Sequence, residues 1–216
     1  QGITVPVTAI SCGVNVQRFC PRPNLDRTHI RTKYGLAPDK TLIFYVGRLD
    51  REKDIDLLIH AMTKLQRNDI QLVVGGKGAQ RAELEQLTHD LALDDSVIFT
   101  GFIGDEDLPF LLNSVDLFAM PSHAELQSIA TLEAMASGLP ILAANARALP
   151  ELVCSDVNGW LFPTGDSVAA ADVLALALAQ RAHWSAMGAA SRHLAMNHAH
   201  EKIVSQYLQW YHQATY

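Results

Sequence analysis

The chain has 216 residues, of which 49% are hydrophobic, and it carries a formal net charge of −6. This content allows one large buried core and excludes a disordered chain. The acidic charge argues against a nucleic-acid-binding surface, which needs clustered Lys and Arg. The three cysteines lack CxxC spacing and are expected to be reduced thiols. Reduced thiols indicate a cytoplasmic location, and since no apolar run approaches the ~20 residues of a transmembrane helix, we expect no membrane span.

The first 23 residues have the pattern of a linker. An apolar stretch, Val5–Ile10, predicts a short strand, and Gly13, Pro21 and Pro23 then interrupt regular structure. The segment also lacks an initiator Met. We interpret it as the inside of a longer protein, with a mature chain produced by processing as the alternative.

From Thr41 to Ala144 the chain alternates short apolar runs with amphipathic stretches of helical period. The runs lack polar alternation, which is typical of parallel strands buried on both faces. The predicted strands are Leu42–Val46, Gln71–Val74, Val97–Thr100, Leu117–Met120 and Ile141–Ala144. The predicted helices between them are Ile55–Leu65, Ala79–Leu91, Asp107–Asn113 and Ile129–Ser137. Right-handed crossovers then predict an α/β fold with a doubly wound, Rossmann-like parallel sheet.

Beyond Ala144 the sequence predicts a weaker strand at Trp160–Phe162 and three Ala-rich helical stretches. The unusual residues of the repeat all follow the ends of predicted strands. Because the carboxyl ends of parallel strands share one edge of the sheet, these residues predict a ligand site at that rim. They are Gly47-Arg48, Gly75-Gly76-Lys77-Gly78, Gly101-Phe102, Pro121-Ser122 and Asn145.

The strongest local pattern places Glu125 and Glu133 around the start of a predicted helix. A helix start offers free N–H groups and a partial positive charge, which suit a diphosphate. Glu125 can then accept a hydrogen bond from a sugar hydroxyl, and Glu133 from a ribose diol. On spacing alone, a structural interpretation explains the two glutamates equally well. Glu125 would then be a charge favoured at a helix start, and Glu133 a solvated helix residue.

With its neighbours, this segment resembles the paired-glutamate motif of the group 1 retaining glycosyltransferases with a GT-B fold (family four of that classification). Enzymes of this family have two Rossmann-like halves, and the second binds most of the sugar-nucleotide donor. The resemblance covers nearly the whole chain, because further signatures occur in the family's order. These are Pro6–Phe19, Gly47–Lys53, Gly76–Gly78, Val97–Phe102, Pro121-Ser122 and Gly138–Pro140.

The resemblance implies a division of the chain. Residues 1–23 would be an interdomain linker with the first strand, and residues 24–198 the C-terminal, donor-binding half of a GT-B fold. Residues 199–216, with a helix at Glu201–Tyr211, would pack on a missing N-terminal domain. That domain would contribute the acceptor site, so we expect this chain alone to be inactive.

The resemblance also implies roles for individual residues. Arg48 and Lys53 would neutralise the diphosphate of a nucleoside-diphosphate sugar, and Glu125 would hold the transferred sugar; these are the expected catalytic residues. Glu133 would bind the ribose. The other expected substrate-binding residues are Gly76, Gly78, Phe102, Gln127, Ser128 and Ile129.

Neither a metal nor a cofactor is expected, because an Arg and a Lys fixed beside the leaving diphosphate can stabilise its charge. Asp54-Ile55-Asp56 and Asp105-Glu106-Asp107 match the metal-binding pattern D-x-D, but we interpret them as acids at helix starts. The acceptor is not identified. The variant Glu125-Leu126-Gln127 resembles members that glycosylate lipids, so the expected acceptor is a lipid or a glycan. For a lipid acceptor, we expect the full-length protein at the membrane periphery.

The chain departs from the family at Gln127-Ser128, where Phe-Gly is frequent, and at Cys12–Asn15, where Asn-Gly-Val-Asp is frequent. The first departure leaves open a nucleotide-sugar-binding module without turnover. A third hypothesis is a GT-B phosphorylase with pyridoxal phosphate. It needs a Schiff-base lysine, and Lys53 is better explained by phosphate binding.

Overall fold

Six parallel strands form one sheet in the order β3-β2-β1-β4-β5-β6. The structure is a computed structural model that describes residues 7–214. The strands are β1 (Thr41–Val46), β2 (Ile70–Gly75), β3 (Val97–Gly101), β4 (Leu117–Met120), β5 (Ile141–Ala144) and β6 (Gly159–Phe162). The predicted α/β fold is therefore confirmed, and each of these strands was predicted to within a residue at either end.

Helices cover both faces of this sheet. Among the described residues, the α-helices are α1 (Arg27–Lys33), α2 (Ile55–Leu65), α3 (Arg81–Asp90), α4 (Leu108–Leu112), α5 (Ile129–Ala136), α6 (Leu149–Leu152), α7 (Ser167–Ala179), α8 (Trp184–Ala195) and α9 (His200–Ala214). The apolar stripe of α2 is buried, and α2 packs against α7 while α5 packs against α8. The short helices α1 and α6 were not predicted.

The order of the strands fixes where a ligand can bind. From β1 the chain moves outward to β2 and β3, and it then returns to β4 on the other side of β1. Right-handed crossovers in opposite directions place α2 and α5 on opposite faces of the sheet. The topological switch point of the fold, where ligands bind in open α/β sheets, therefore lies between the loops that follow β1 and β4.

The predicted strand at Val5–Ile10 is wrong over residues 7–10, which pair with no strand; residues 5 and 6 lie outside the described residues. The nearest regular pairing is a single bridge in which the Val14 N–H donates to the His198 carbonyl at 2.8 Å. Apolar composition predicted a strand here, but a strand also needs a partner for its backbone groups. Val7 is 72% exposed, so the composition does not reflect burial either.

Beyond the strand ends, the first loops of the rim continue to hydrogen-bond one another. The Gly47 N–H donates to the Gly75 carbonyl at 3.1 Å, and the Gly76 N–H donates to the Gly101 carbonyl at 2.7 Å. A Cβ on Gly76 would lie 1.8 Å from the Gly47 carbonyl oxygen, and φ at Gly76 is +127°. Only glycine fits such a position, so the backbone of the rim is interlocked.

The last helix, α9, confirms the helix predicted at Glu201–Tyr211. Much of its apolar surface is exposed, and Thr8 and Ile10 line a shallow groove with its aromatic side chains. The large exposed apolar side chains of α9 are Val204, Tyr207, Leu208, Trp210 and Tyr211. Among residues 7–214, no helix has the length and apolar character needed to cross a membrane.

Candidate functional site

The loop after β1 and the loop after β4 are joined across the switch point. Lys53 Nζ donates to Glu125 Oε1 at 2.5 Å, and Ser122 Oγ donates to the Glu52 carbonyl at 2.9 Å. The two loops therefore meet at the carboxyl edge of the sheet, as the sequence predicted. Arg48 lies on the first of them, so the expected cations and Glu125 share one rim.

The pair of Lys53 and Glu125 is largely withdrawn from solvent. Their side chains are 16% and 10% exposed, respectively. A charge at such depth requires a partner, and here each side chain supplies it for the other. An incoming anion would compete with Glu125 for the lysine, and the released carboxylate could then accept a hydrogen bond from a hydroxyl.

Arg48 has a different environment from Lys53. Its guanidinium is 69% exposed and contacts two acids of its own loop, Asp50 and Glu52, the latter at 2.9 Å from Nη2. The Tyr45 hydroxyl donates to the Arg48 carbonyl at 2.7 Å and so fixes the backbone at this point. The structure thus places Arg48 on the rim but does not bring its side chain into contact with Glu125.

The start of α5 presents free backbone donors beside Glu125. Ser128 is the N-cap, and its buried Oγ accepts hydrogen bonds from the Thr131 N–H at 3.4 Å and the Thr131 hydroxyl at 2.8 Å. The N–H groups of residues 127–130 donate to no acceptor among the described residues. They and the partial positive charge of the helix start form a place for an anion. The Ser128 side chain caps the helix, which the sequence did not predict.

The side chains of Ile129 and Gln127, both expected to bind substrate, differ in whether they are free to contact a ligand. Ile129 is 48% exposed at the first position of α5. The Gln127 side chain instead binds the segment before α1: the Cys12 N–H donates to Gln127 Oε1 at 2.6 Å, and Gln127 Nε2 donates to Ser11 Oγ. A ligand contact from Gln127 would therefore involve its backbone, and this contact stays a prediction.

Glu133 lies inside α5, and burial raises the pKa of its carboxyl to about 7. Positive charge on Arg18 opposes this shift, and negative charge on Asp105 adds to it. No group among the described residues donates a hydrogen bond to the Glu133 carboxyl, so it can receive hydroxyls of a ligand. Arg18, whose Nη2 donates to the Asp105 carbonyl, is a neighbour that the sequence analysis missed.

We expect Glu133 to make stability depend on pH. Its pKa is about 7 in the folded chain and near the ordinary 4.5 in the unfolded chain, so the folded state binds more protons between these values. The free energy of unfolding should therefore fall as pH rises through this window. Glu133→Gln should remove this decrease, so its free energy of unfolding should rise relative to that of the wild type as the pH increases from about 5 to 8. Urea unfolding at pH 5 and at pH 8 measures this difference, and Glu106→Gln, at an exposed glutamate, is the control. The same pH dependence of stability in the wild type and in both variants would contradict the prediction.

The glycine turn after β2 has a packing role. A Cβ on Gly78 would lie 2.3 Å from the Leu49 carbonyl oxygen, so this turn fits closely against the loop after β1. Next to it, Phe102 is 64% exposed, and Lys77 Nζ lies 5.3 Å from the centroid of its ring. Direct contacts of Gly76, Gly78 and Phe102 with a ligand remain predictions.

One acid of each D-x-D match, Asp54 and Asp107, is engaged with the protein itself. Asp54 and Asp107 occupy the N-cap positions of α2 and α4, as interpreted from sequence, but neither side chain caps its helix. The Asp54 carboxylate lies 2.5 Å from His123 Nδ1. Asp107 accepts from Lys33 Nζ at 2.6 Å and from the Tyr34 hydroxyl at 2.7 Å, and these bonds lower its pKa. Within residues 7–214, no group of three or more His, Cys, Asp or Glu side chains is arranged to hold a metal ion.

A doubly wound sheet with cations, paired glutamates and free helix N–H groups at its switch point defines a Rossmann-like domain with a candidate anion site. Residues 26–194 match the model of the family described as glycosyl transferases group 1. The chain therefore belongs to the group 1 glycosyltransferases. The curated relatives are longer: the chain spans between 29% and 50% of their lengths.

Particular relatives agree with this membership. The chain is 33% identical over 194 residues to the GDP-mannose-dependent alpha-(1-6)-phosphatidylinositol monomannoside mannosyltransferase of Mycolicibacterium smegmatis, covering 86% of this chain and 50% of that protein. It matches the structure of Anabaena HepE in complex with UDP and glucose with a TM-score of 0.83 and 25% identity, covering 95% of this chain and 56% of that one.

A third match shows which part of these enzymes the chain corresponds to. The C-terminal domain of the group 1 glycosyl transferase LpcC from Francisella tularensis aligns with a TM-score of 0.74 and 28% identity. This alignment covers 86% of the present chain and 97% of the LpcC domain. The fold is thus that of the C-terminal domain of a GT-B glycosyltransferase.

Proposed function

We propose that this chain is the donor-binding domain of a retaining glycosyltransferase that moves a sugar from a nucleoside-diphosphate sugar to an acceptor. The observation that carries the proposal is the buried pair of Lys53 and Glu125 beside the free N–H groups at the start of α5. Cation, carboxylate and helix start then lie where a diphosphate and its sugar could be bound together. The UDP and glucose in the HepE complex, and the GDP-mannose dependence of the mannosyltransferase, support this class of donor.

In the proposed complex the diphosphate replaces Glu125 as the partner of Lys53. The phosphate oxygens accept from Lys53, from the exposed Arg48 guanidinium and from the helix N–H groups. Glu125 then accepts from a hydroxyl of the sugar. Glu133, one and a half turns into α5, accepts from the ribose hydroxyls.

The same arrangement favours cleavage of the donor. When the bond between the anomeric carbon and the diphosphate oxygen breaks, the electron pair stays on that oxygen. In the proposed complex Arg48, Lys53 and the N–H groups already contact the bound diphosphate, so little further reorganisation is needed when charge develops on it. The acceptor oxygen forms the new bond to the anomeric carbon, with retention of configuration, and the proton of its hydroxyl passes to the oxygen of the leaving diphosphate.

We further propose that a second Rossmann-like domain holds the acceptor, because the rim described here is open and α9 exposes an apolar surface large enough for a domain contact. Residues 1–23 would lead to that domain, and residues 199–216 would pack on it. The mannosyltransferase relative is named for a glycolipid acceptor, which supports a lipid or glycan acceptor here. Free Cys12, Cys20 and Cys154 support a cytoplasmic location, and a lipid acceptor would bring the enzyme to the membrane periphery.

Calorimetric titration of the chain tests the proposal directly. UDP, GDP, UDP-glucose and GDP-mannose are compared with uridine and guanosine. We expect at least one diphosphate to bind far more tightly than its nucleoside, and chelator to leave this binding unchanged. Transfer is then assayed in the two-domain enzyme, with the anomeric configuration of the product read by NMR. Failure of every diphosphate to bind would contradict the proposal; binding without transfer would favour a nucleotide-sugar-binding module.

A further inference from the structure

The side chain of Gln127 connects the donor loop, here residues 125–128, to a segment more than a hundred positions earlier in the chain. The Cys12 N–H donates to Gln127 Oε1 at 2.6 Å, and Gln127 Nε2 donates to Ser11 Oγ. The amide thus uses both its acceptor and its donor on the segment before α1. A phenylalanine, which is frequent in the family at this position, could form neither hydrogen bond.

The segment that Gln127 binds is itself anchored. Ser11 Oγ lies 3.0 Å from His198 Nδ1 and accepts from the Gly13 N–H at 3.2 Å. Gly13 has φ +80°, and a Cβ there would lie 2.8 Å from His200 Cδ2. Backbone hydrogen bonds join Val14 to residues on both sides of Ala199. Residues 11–14 are therefore held against the start of α9 and provide a fixed point.

Near Gln127 the donor loop is also held at Glu125, whose carbonyl accepts from the Ala148 N–H at 3.2 Å. Leu126 is 91% exposed, and the N–H groups that follow it have no acceptor among the described residues. Glu125 is held through its carboxylate by Lys53, and that bond is the one a diphosphate would replace. Once it is replaced, the Gln127 hydrogen bonds still orient the peptide groups before α5.

We propose that Gln127 is a positioning residue: its side chain fixes the donor loop to residues 11 and 12, so that Glu125 and the free N–H groups keep the geometry needed for the sugar. The inference rests on the proposed donor-binding function. It predicts that loss of the two hydrogen bonds weakens recognition of the sugar more than recognition of the nucleoside diphosphate. It also predicts that donor binding is sensed at Cys12.

The test compares Gln127→Leu, which removes both hydrogen bonds, with Gln127→Glu, which can accept from the Cys12 N–H and the Ser11 hydroxyl. Affinities for UDP-glucose, GDP-mannose and the bare diphosphates are measured by calorimetry. Gln127→Leu should lose about tenfold in affinity for the sugar nucleotide that the wild type binds, with little change for the diphosphate. Gln127→Glu should recover most of the loss. Gln86→Leu is the matched control, because Gln86 is an exposed glutamine on α3 whose side chain donates to Asp90.

A spectroscopic reporter separates positioning from a general loss of structure. Cys12 is exposed, so it can carry a nitroxide label after Cys20→Ser and Cys154→Ser. The sugar nucleotide should change the label's mobility in the wild-type background and with Gln127→Glu, but not with Gln127→Leu. If Gln127→Leu does not fold, Ser11→Ala removes one of the bonds from the other side and should show the same losses in part.

The outcomes distinguish this inference from the proposed function. An unchanged affinity and an unchanged label response in Gln127→Leu would overturn the positioning role, while wild-type binding would still support a donor site. An equal loss for sugar nucleotide and bare diphosphate would also overturn it. A wild-type chain that binds none of the nucleotides would overturn the proposed function, and the inference with it.

Discussion

Replacing Glu125 by alanine is expected to lower sugar transfer by about 10²-fold or more, without weakening the binding of the bare nucleoside diphosphate. The carboxylate is placed against the sugar, so its contact counts most when the reacting carbon must be held in position. Loss of Glu125 leaves Lys53 without its carboxylate partner, and the lysine stays available to the phosphates. Steady-state kinetics of the two-domain enzyme measure the first effect, and calorimetry on this chain measures the second.

Two further variants make the Glu125 experiment decisive. Glu125→Gln keeps a hydrogen-bond acceptor in the same place, so it should retain more activity than Glu125→Ala if the role is to accept from a hydroxyl. Glu151→Gln alters an exposed carboxylate on the nearby α6 and should leave transfer unchanged. Thermal unfolding of each protein checks for loss of the buried pair. Unimpaired transfer by Glu125→Ala would show that the paired-glutamate assignment is wrong.

Removal of either expected phosphate-binding cation should weaken diphosphate binding far more than nucleoside binding. For Arg48→Ala and Lys53→Ala we expect a loss of about 1.5–3 kcal/mol each, because hydrogen bonds between charged groups are lost. The nucleoside does not reach these side chains in the proposed complex. Paired titrations of UDP with uridine, and of GDP with guanosine, measure the difference.

The control for these cations is Arg67→Ala. Arg67 is an exposed cation that pairs with Asp69 just before β2, at the opposite edge of the sheet. It should affect neither ligand. Equal losses for the diphosphate and its nucleoside in the Arg48 or Lys53 variant would mean that these residues act through the fold or at another place.

The sequence predicted the sheet well because its strands are buried on both faces and stand out as continuous apolar runs, as in β1, where five residues in succession are buried. The common rim followed from the parallel arrangement alone. By contrast, Val5–Ile10 has a strand-like composition, but the described part has no partner strand. Whether an apolar segment pairs is decided by the tertiary fold, which local composition does not contain.

The candidate site could be predicted where a short stretch of sequence contains the motif by itself. Spacing and the family resemblance pointed to Glu125, Glu133 and Lys53 before their positions were known. The bond between Gln127 and Ser11, and the position of Arg18 near Glu133, depend on residues more than a hundred positions apart. The difference in burial that shifts the pKa of Glu133 likewise arises only from packing.

The interlocked glycine backbone of the rim has a consequence for engineering the protein. The loops after β1, β2 and β3 contact one another through main-chain groups, with no room for a Cβ at Gly76 or Gly78, so the shape of this part of the rim does not depend on the exposed side chains beside it. Exposed positions such as Lys77 and Phe102 can therefore be varied in a library without changing the scaffold that carries them. The residues that hold this scaffold thus differ from Phe102, which is expected to contact a ligand, so the two sets can vary independently.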